Sequence, residues 1–493
     1  MATAKKTPPK AAKVMSPSTA KSARLSIRMY RHGLGDCLLL RFTRESGGTF
    51  NVLIDCGIIM VATDAKKRMG KVVKDIAKAC GGRLDVVVMT HEHWDHASGF
   101  STQHAQDLFD DIAIGEVWYG WTEDPQNDLG VRLRKERAEK VQALAMASLA
   151  MERFPAMSVR TRGLNSILGF FGIDNKTEGL SAPKPIQKTR SAFEYLKNRR
   201  GVKTRYLYPD KAPLSLTGVN DARVFVLGPP QDESLIKKSS PSKRDSEVYE
   251  LAAEASLTRS LEAAFRRVVS DNTGDAFSDC PFDSNFRQHR HTAAAKELIE
   301  ETWNATGLEW RQIEEDWTQS AETLALNLDT HTNNTCVVLA FEFSDTGEVF
   351  LFPADAQVGN WLSWQDVKWR VKSEGIATEV TGPELLSRTV FYKVGHHGSH
   401  NATLNKLGLE QMTSEDLVAF IPVFKEEAVK SRWMSMPFGP LVKRLTQKTG
   451  GRLLVSDSEP PSDASLAELP PDARKKFLTG LVVNPLYFEY SFY

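Results

Sequence analysis

The feature that most constrains this chain is the heptapeptide T-H-E-H-W-D-H at residues 90–96, which directly follows the apolar run Val86–Met89. The apolar run predicts a buried strand that ends where the histidines begin. Imidazole nitrogens and carboxylate oxygens are the ligands that zinc and similar divalent ions take in proteins, and a strand end holds several of them on one rigid anchor. The heptapeptide therefore predicts a metal site.

Two metal ions fit this heptapeptide better than one. Alternation places His91 and His93 on one side of the chain, whereas Asp95 and His96 point elsewhere, so a single ion cannot easily take all four. The competing interpretation is a polar helix start in which the histidines only cap or solvate. The chain has 11 histidines among 493 residues, so three of them beside an aspartate in one short loop are not expected by chance.

The H-x-H-x-D-H spacing resembles the metallo-β-lactamase superfamily, and further motifs follow in that family's order. The resemblance implies that Asp55, in L-I-D-C-G, braces the histidine loop by hydrogen bonds instead of binding metal. It also implies that Asp355, in L-F-P-A-D-A, bridges both metal ions. The alternative for Asp355 is a cap on the helix that is predicted to begin near Gln357.

The string K-V-G-H-H-G-S-H at 393–400 resembles in particular the hydrolase domain of the bacterial DNA-uptake channel proteins, the ComEC group. The early hairpin of that group carries a G-x-G-D turn comparable to Gly33–Asp36. The resemblance implies that His397, or its neighbour His396, completes the second metal site. His400 is interpreted as a group that faces the substrate or supports a ligand, and the alternative is an ordinary loop residue.

One position departs from the fullest form of the superfamily pattern. The first metal ion usually receives a third histidine from a loop before the hairpin that carries the bridging aspartate, and the matching stretch here is D-T-H-T-N-N-T-C. His331 is the candidate ligand in this stretch. The DNA-uptake group tends to have an Asn-rich turn there, so the alternative is that Asn333 and Asn334 are the family feature and His331 is incidental.

The predicted fold class is α/β, a metallo-β-lactamase αββα sandwich with a large, mainly helical insertion. Residues 25–154 and 326–493 are expected to form its two halves, with an insertion or cap at 155–325 and a disordered basic tail at 1–24. Strands are predicted at 25–30, 37–42, 52–57, 86–89, 114–121, 223–227, 336–343, 349–353, 390–394, 418–423, 452–456 and 487–492. Helices are predicted at 71–80, 129–154, 247–269, 292–305 and 441–448.

Composition limits where this chain works and what it binds. Six of the 63 Lys and Arg residues and none of the 62 acidic residues lie in residues 1–24, so the remainder carries a net charge of −5. This argues against a protein whose whole surface binds nucleic acid. Five cysteines without a C-x-x-C pair favour a reducing, cytoplasmic location. The absence of a long apolar run predicts no membrane insertion.

Together these features predict a hydrolase in which two divalent metal ions, zinc or alternatively manganese or iron, activate a water molecule. Asp95 is expected to orient that water and accept its proton, and His400 to assist a leaving group or oxyanion. A phosphodiesterase or nuclease acting on a nucleic acid or nucleotide is favoured by the motif likeness and by cationic clusters near 197–205 and 237–244. The alternatives are a small-molecule ester, thioester or lactam hydrolase and a non-catalytic metal-binding module. The sequence leaves the oligomeric state open.

Overall fold

The computed structural model describes residues 23–152, 158–173, 188–238, 292–302, 316–373, 376–431 and 433–493. Nearly all of the expected basic tail, the predicted helix at 247–269 and Cys280 lie outside these ranges. The other four cysteines are buried free thiols. No helix within the described ranges is long and apolar enough to cross a bilayer.

Most strands lie in two large mixed sheets of an α/β fold. In chain order the strands are β1 Leu25–Tyr30, β2 Cys37–Thr43, β3 Thr49–Cys56, β4 Arg83–Met89, β5 Ala113–Gly120, β6 Lys203–Leu207, β7 Leu214–Leu216, β8 Val219–Gly228, β9 Val338–Phe343, β10 Val349–Phe352, β11 Lys368–Ser373, β12 Ile376–Thr381, β13 Thr389–Lys393, β14 Val418–Ile421, β15 Leu453–Val455, β16 Leu481–Asn484 and β17 Tyr487–Phe492. The first sheet has the order β16-β17-β1-β2-β3-β4-β5-β6 and the second has the order β15-β14-β13-β10-β9-β8-β7. Strands β11 and β12 form a separate hairpin.

The helices of the described residues lie between these strands in the chain. They are α1 Ala65–Ala79, α2 Trp94–Ala97, α3 Gln106–Asp110, α4 Asp128–Met151, α5 Ser158–Phe170, α6 Lys188–Lys197, α7 Glu233–Ile236, α8 Ala293–Thr302, α9 Asp316–Asn334, α10 Val358–Ser363, α11 Gly382–Ser387, α12 Lys425–Lys430, α13 Gly439–Lys448 and α14 Pro471–Gly480. In α1 the buried residues Met69, Val72, Val73 and Ile76 recur at the spacing of one helix face. That apolar face is why the helix packs on the sheet.

Each sheet buries both of its faces. Within β3, Val52 and Ile54 point to the layer between the sheets, and Leu53 points to the helices outside. The two sheets meet through apolar side chains, and the rings of Phe42 and Phe341 lie 5.4 Å apart across the interface. Helices α1, α3 and α6 cover the outer face of the first sheet, and α4, α5 and α9 are among those that cover the second.

The predicted strands agree closely with the observed ones, but the segment at 155–325 is more than a cap. Strand β6 is the edge of the first sheet, and β8 pairs with β9 inside the second sheet. These strands and β7 therefore belong to the two sheets that carry the site. Within the described part of this segment, the helices are α5, α6, α7, α8 and the start of α9.

The carboxyl ends of β4, β10 and β13 lie at one edge of the two sheets. Strands β3, β4 and β5 are parallel to one another, as are β10, β13 and β14. Loops that follow parallel strands emerge on the same side, which is where ligand sites of α/β folds form. The histidine loop, Asp355 and the paired histidines 396–397 all follow such strands.

Candidate metal centre

The histidine loop begins where β4 ends, and Asp55 at the end of β3 fixes its shape. The carboxylate of Asp55 accepts hydrogen bonds from the Thr90 backbone N–H at 2.9 Å, the Thr90 hydroxyl at 2.6 Å and His96 Nδ1 at 2.7 Å. With Nδ1 engaged, His96 directs Nε2 into the centre. These contacts hold the histidine loop, which is the role that the motif resemblance implies for Asp55.

Two glycines allow the early hairpin to approach the histidine loop. A β-carbon at Gly35 would lie 2.7 Å from the Asp95 carbonyl oxygen, and one at Gly57 would lie 2.4 Å from the same oxygen. The close approach lets the Asp36 backbone N–H donate to that oxygen at 3.0 Å. Any side chain at these two positions would displace the loop, so the glycines place Asp36 beside His96.

His396 and His397 follow β13 and both adopt left-handed backbone conformations, with φ of 42° and 52°. Of the five non-glycine residues with positive φ in the described ranges, four are Asp55, Ala354 and these two histidines. Such strain collects at functional sites, where the surrounding structure enforces it. Here it turns two successive imidazoles into the same centre.

Both imidazoles point Nε2 inward because other groups hold Nδ1. His397 Nδ1 lies 2.7 Å from the carbonyl oxygen of Pro422, and His396 Nδ1 lies 3.4 Å from Gln357 Nε2. The two Nε2 atoms lie 3.9 Å and 3.8 Å from Asp355 Oδ2. Asp355 therefore faces both histidines, and His397 also approaches Asp95 and belongs to the cluster that could hold a metal ion.

The remaining distances divide the centre into two neighbouring groups. His91 Nε2 and His93 Nδ1 lie 2.9 Å apart and form one. The other contains His397 Nε2, 2.9 Å from Asp95 Oδ2, and His96 Nε2, 3.8 Å from Asp95 Oδ2. Asp355 Oδ2 lies 3.1 Å from His96 Nε2 and so borders the second group.

The donor set fits a cation. One ligand atom from each of Asp36, His96, Asp355 and His397 lies within 4.8 Å of the others, and all four residues are buried. His96 Nε2, Asp355 Oδ2 and Asp95 Oδ1 are buried and make no hydrogen bond to any described residue. Unpaired buried acceptors are costly. A bound metal ion would satisfy all three, so this cluster can hold one.

A buried lysine partly balances the carboxylates. Lys393 Nζ pairs with Asp36, lies 3.5 Å from Asp355 Oδ1 and donates to the Ala354 carbonyl oxygen at 2.9 Å. Burial alone would lower the pKa of Lys393, but the nearby carboxylates of Asp36 and Asp355 raise it, so the lysine stays charged. The centre holds this one ammonium group and four carboxylates, those of Asp36, Asp55, Asp95 and Asp355, which leaves negative charge for a cation to balance.

The histidines of the two groups differ in their affinity for protons. Burial lowers the pKa of His93 to about 3 and that of His91 well below its ordinary value, so both are neutral and free to bind metal. Burial also acts to lower the pKa of His96, but the carboxylates of Asp355 and Asp95 outweigh it and raise the pKa well above its ordinary value. A metal ion at His96 therefore competes with a proton.

No protein-family model matches this chain, and no curated protein matches it. The interpretation of the site therefore depends on its own geometry.

The structure brings together His91, His93, Asp95, His96, Asp355, His396 and His397 from the residues predicted as ligands. It places His331 elsewhere, on the side of α9 where it lines a groove with Leu133 and Lys237. His400 is exposed and lies beside Phe438, with 6.0 Å between the ring centroids. Its predicted catalytic role stays a prediction.

Three residues that the structure places in or beside the centre were not predicted as site residues from the sequence. Asp36 was visible as the end of the G-L-G-D turn and Lys393 as the start of K-V-G-H-H, but neither motif alone gives a role. Asp329 lies two residues before the predicted His331, and its Oδ1 is 3.8 Å from His93 Nε2. Residues two apart on a helix point in nearly opposite directions, so only one of this pair can face the histidine loop.

An ion-pair network joins the histidine loop to the helices around it. Glu92 is buried and pairs with Arg137 of α4 and, at 3.3 Å, with Arg190 of α6. Both arginines also contact Glu123, at 3.2 Å and 2.6 Å. Lys197 reaches the same carboxylate at 3.0 Å. The loop is thus attached to α4 and α6 through Glu92.

Proposed function

We propose that this chain is a metal-dependent hydrolase of the metallo-β-lactamase type. The single observation that carries the proposal is the meeting of two buried ligand groups from the histidine loop with Asp355 and His396–His397, which lie more than 250 positions later in the chain. The four layers of helix, sheet, sheet and helix also support it. His91 and His93 would hold one cation, and Asp95, His96 and His397 the other, with Asp355 between them.

Two divalent cations in such a site lower the pKa of water so that hydroxide forms near neutral pH and an electrophilic oxygen is polarised. The protein's own groups then determine the course of the reaction. Asp95 belongs to the second ligand group, 2.9 Å from His397 Nε2, and its carboxylate would orient the water and accept its proton. Asp55 keeps the histidine loop in place, and Lys393 pairs with Asp36 and lies beside Asp355.

A phosphodiester is the substrate class that we favour, because the K-V-G-H-H-G-S-H string resembles nuclease-like domains. The described cationic cluster at 197–205 adds little to this, and most of the cluster at 237–244 lies outside the described residues. Arg205 pairs with Glu116 at 3.0 Å, Lys197 with Glu123, and Arg199 donates to the Ile112 carbonyl oxygen at 2.6 Å. Side chains engaged in this way are not a free basic face for a long polyanion.

That observation favours a second candidate, the hydrolysis of a small ester, thioester or lactam. Aromatic side chains next to His93 also favour this second candidate. The Phe170 ring lies 5.2 Å from the His93 ring and stacks on Trp433 with centroids 4.5 Å apart. Apolar side chains packed beside the candidate ligands are typical of sites that take compact, partly apolar substrates.

A substrate panel separates these candidates. Zinc-loaded and manganese-loaded full-length protein would be assayed on single-stranded DNA, cyclic nucleotides, bis(p-nitrophenyl) phosphate and p-nitrophenyl acetate. We expect chelator-sensitive phosphodiester cleavage that Asp95→Asn and His93→Ala lower at least 100-fold. Asp107→Asn, an exposed aspartate on α3, is the matched control and keeps full activity. Turnover of the acyl ester alone would favour the second candidate, and no turnover of any substrate contradicts the proposal.

A further inference from the structure

His93 presents its two ring nitrogens to different surroundings. Nδ1 faces the centre, 2.9 Å from His91 Nε2. Nε2 points the other way, toward α9, where Asp329 Oδ1 lies at 3.8 Å. Both Nε2 and Oδ1 are buried, and neither makes a hydrogen bond to a described residue. Two complementary polar atoms therefore face each other without another partner.

The surroundings of His93 are apolar on its other sides. The rings of Phe170 and Phe171 lie 5.2 Å and 5.0 Å from the imidazole, and the second is nearly perpendicular to it. The His93 side chain has no solvent exposure. A neutral imidazole that binds metal through Nδ1 carries its proton on Nε2, and a buried N–H without an acceptor is costly.

Asp329 is held so that it can be this acceptor. Its Oδ2 accepts a hydrogen bond from Asn333 Nδ2 at 3.1 Å, one turn later on α9, which leaves Oδ1 directed at His93. The gap of 3.8 Å is about 1 Å longer than a hydrogen bond. A hydrogen bond would require the two atoms to approach by about 1 Å.

We propose that Asp329 is a positioning residue for His93, accepting the Nε2 proton and thereby presenting Nδ1 to a metal ion. Carboxylates behind metal-binding histidines fix the tautomer, orient the ring and raise the basicity of the ligand nitrogen. The inference rests on the proposed function in that Nδ1 is taken as a metal ligand. Helix α9 thus places the carboxylate of Asp329 next to the candidate ligand His93. The sequence pattern had predicted a third histidine ligand, His331, in the same stretch.

Metal binding by the full-length chain tests this directly. Zinc affinity would be measured by competition with a chromogenic chelator, metal content by mass spectrometry, and site geometry by the visible absorption of the cobalt-substituted protein. Asp329→Asn is expected to bind one of the two ions 10- to 100-fold more weakly and to alter the cobalt spectrum. Asp329→Glu, which keeps the carboxylate, restores most of the affinity. His331→Gln on the same helix leaves both ions unchanged.

Unfolding of the metal-free variants separates positioning from folding. The melting temperature of metal-free Asp329→Asn is expected to match that of the wild type. Asp329→Asn that binds both ions as tightly as the wild type overturns the proposal, as does a loss of metal from His331→Gln alone. If the wild type binds two ions and Asp329→Asn weakens one, but neither hydrolyses the panel, this inference stands and the proposed hydrolase function fails. Wild-type protein that binds no metal overturns both.

Discussion

Asp55 shows how one side chain sets the geometry of a whole loop. Its carboxylate is fully buried and accepts three hydrogen bonds, two from Thr90 and one from His96. Burial raises the pKa of Asp55, and the neighbouring His96 opposes that rise. The hydrogen bonds compensate for taking the carboxylate out of water, so its removal leaves buried donors unpaired.

We expect Asp55→Ala to destabilise the protein by about 2–4 kcal/mol, because at least two buried donors lose their acceptor. Zinc affinity should fall by at least tenfold as well, since His96 loses the group that orients it. Urea unfolding of the metal-free protein and a zinc titration measure the two effects. An exposed aspartate replaced in the same way, Asp107→Ala, provides the control. Wild-type zinc affinity in Asp55→Ala would show that the brace is unimportant.

Lys393 supplies a buried positive charge next to the carboxylates of the candidate centre. Its ammonium group is the buried partner of Asp36 and lies close to Asp355. Replacing it by methionine keeps the volume but leaves buried negative charge without a counter-charge, which should cost about 3–5 kcal/mol in the metal-free protein. A divalent cation can supply the missing positive charge. Zinc should therefore raise the melting temperature of Lys393→Met more than that of the wild type, and an equal rise argues against this electrostatic role.

Residues of the centre could be predicted only where a motif carries them. The histidine loop, Asp355 and His396–His397 stand in recognisable strings, and the structure brings them together. Asp36 approaches them because Gly35 and Gly57 remove side chains from a close backbone contact. Asp329 lies on α9 and approaches His93 from a segment that is distant in the chain. Neither relation is a local pattern, so neither could be predicted from the chain alone.

Most strands could be predicted from the sequence, because strands that are buried on both faces appear as continuous apolar runs. The runs at β4, β9 and β13 show this directly. Strand β6 is an edge strand with alternating exposure, so its sequence K-T-R-Y-L resembles a surface segment. Strand β6 therefore lies in the segment predicted as an insertion. The hairpin of β11 and β12 was not predicted, because β11 has the same alternating exposure.

Glu123 belongs to the ion-pair network through which Glu92 attaches the histidine loop to α4 and α6. Burial would raise the pKa of this carboxyl, but Arg190, Arg137 and Lys197 lower it to about 2, against an ordinary value of 4.5. A lowered pKa in the folded state means that the carboxylate stabilises the protein above its unfolded pKa and loses this contribution as the pH falls.

We therefore expect the free energy of unfolding to decline between pH 4.5 and pH 2, with roughly 2–3 kcal/mol of that decline due to Glu123. Glu123→Gln should be less stable than the wild type at pH 7 and show a smaller decline over this range. Urea unfolding at a series of pH values gives both slopes. Parallel pH profiles for the two proteins would mean that Glu123 is not the titrating group.

In the proposed function, metal binding would be coupled to folding across the whole molecule. The candidate ligands come from both sheets, since the histidine loop follows β4 and the other candidate ligand segments follow β10 and β13. A cation held between the sheets stabilises the folded state in proportion to its affinity, by about 2.7 kcal/mol at a free concentration of 100 times Kd. Chelation should therefore lower the melting temperature by several degrees.

Calorimetry of zinc-loaded and chelator-treated protein measures that shift, and added zinc should reverse it. His96→Ala is the matched control, because it removes a ligand from the group that borders Asp355. The chelator effect should be much smaller in this variant. An equal effect in both proteins would place the stabilising ion elsewhere.

The most direct measurement of the central claim is an anomalous difference map from crystals of zinc-loaded protein, recorded at the zinc absorption edge. The two-cation arrangement predicts two peaks about 3.5–4 Å apart. One should lie between His91 and His93, the other beside Asp95, His96 and His397, and both next to Asp355. Zinc density away from these residues, or none at all in protein shown to be folded, would contradict the account.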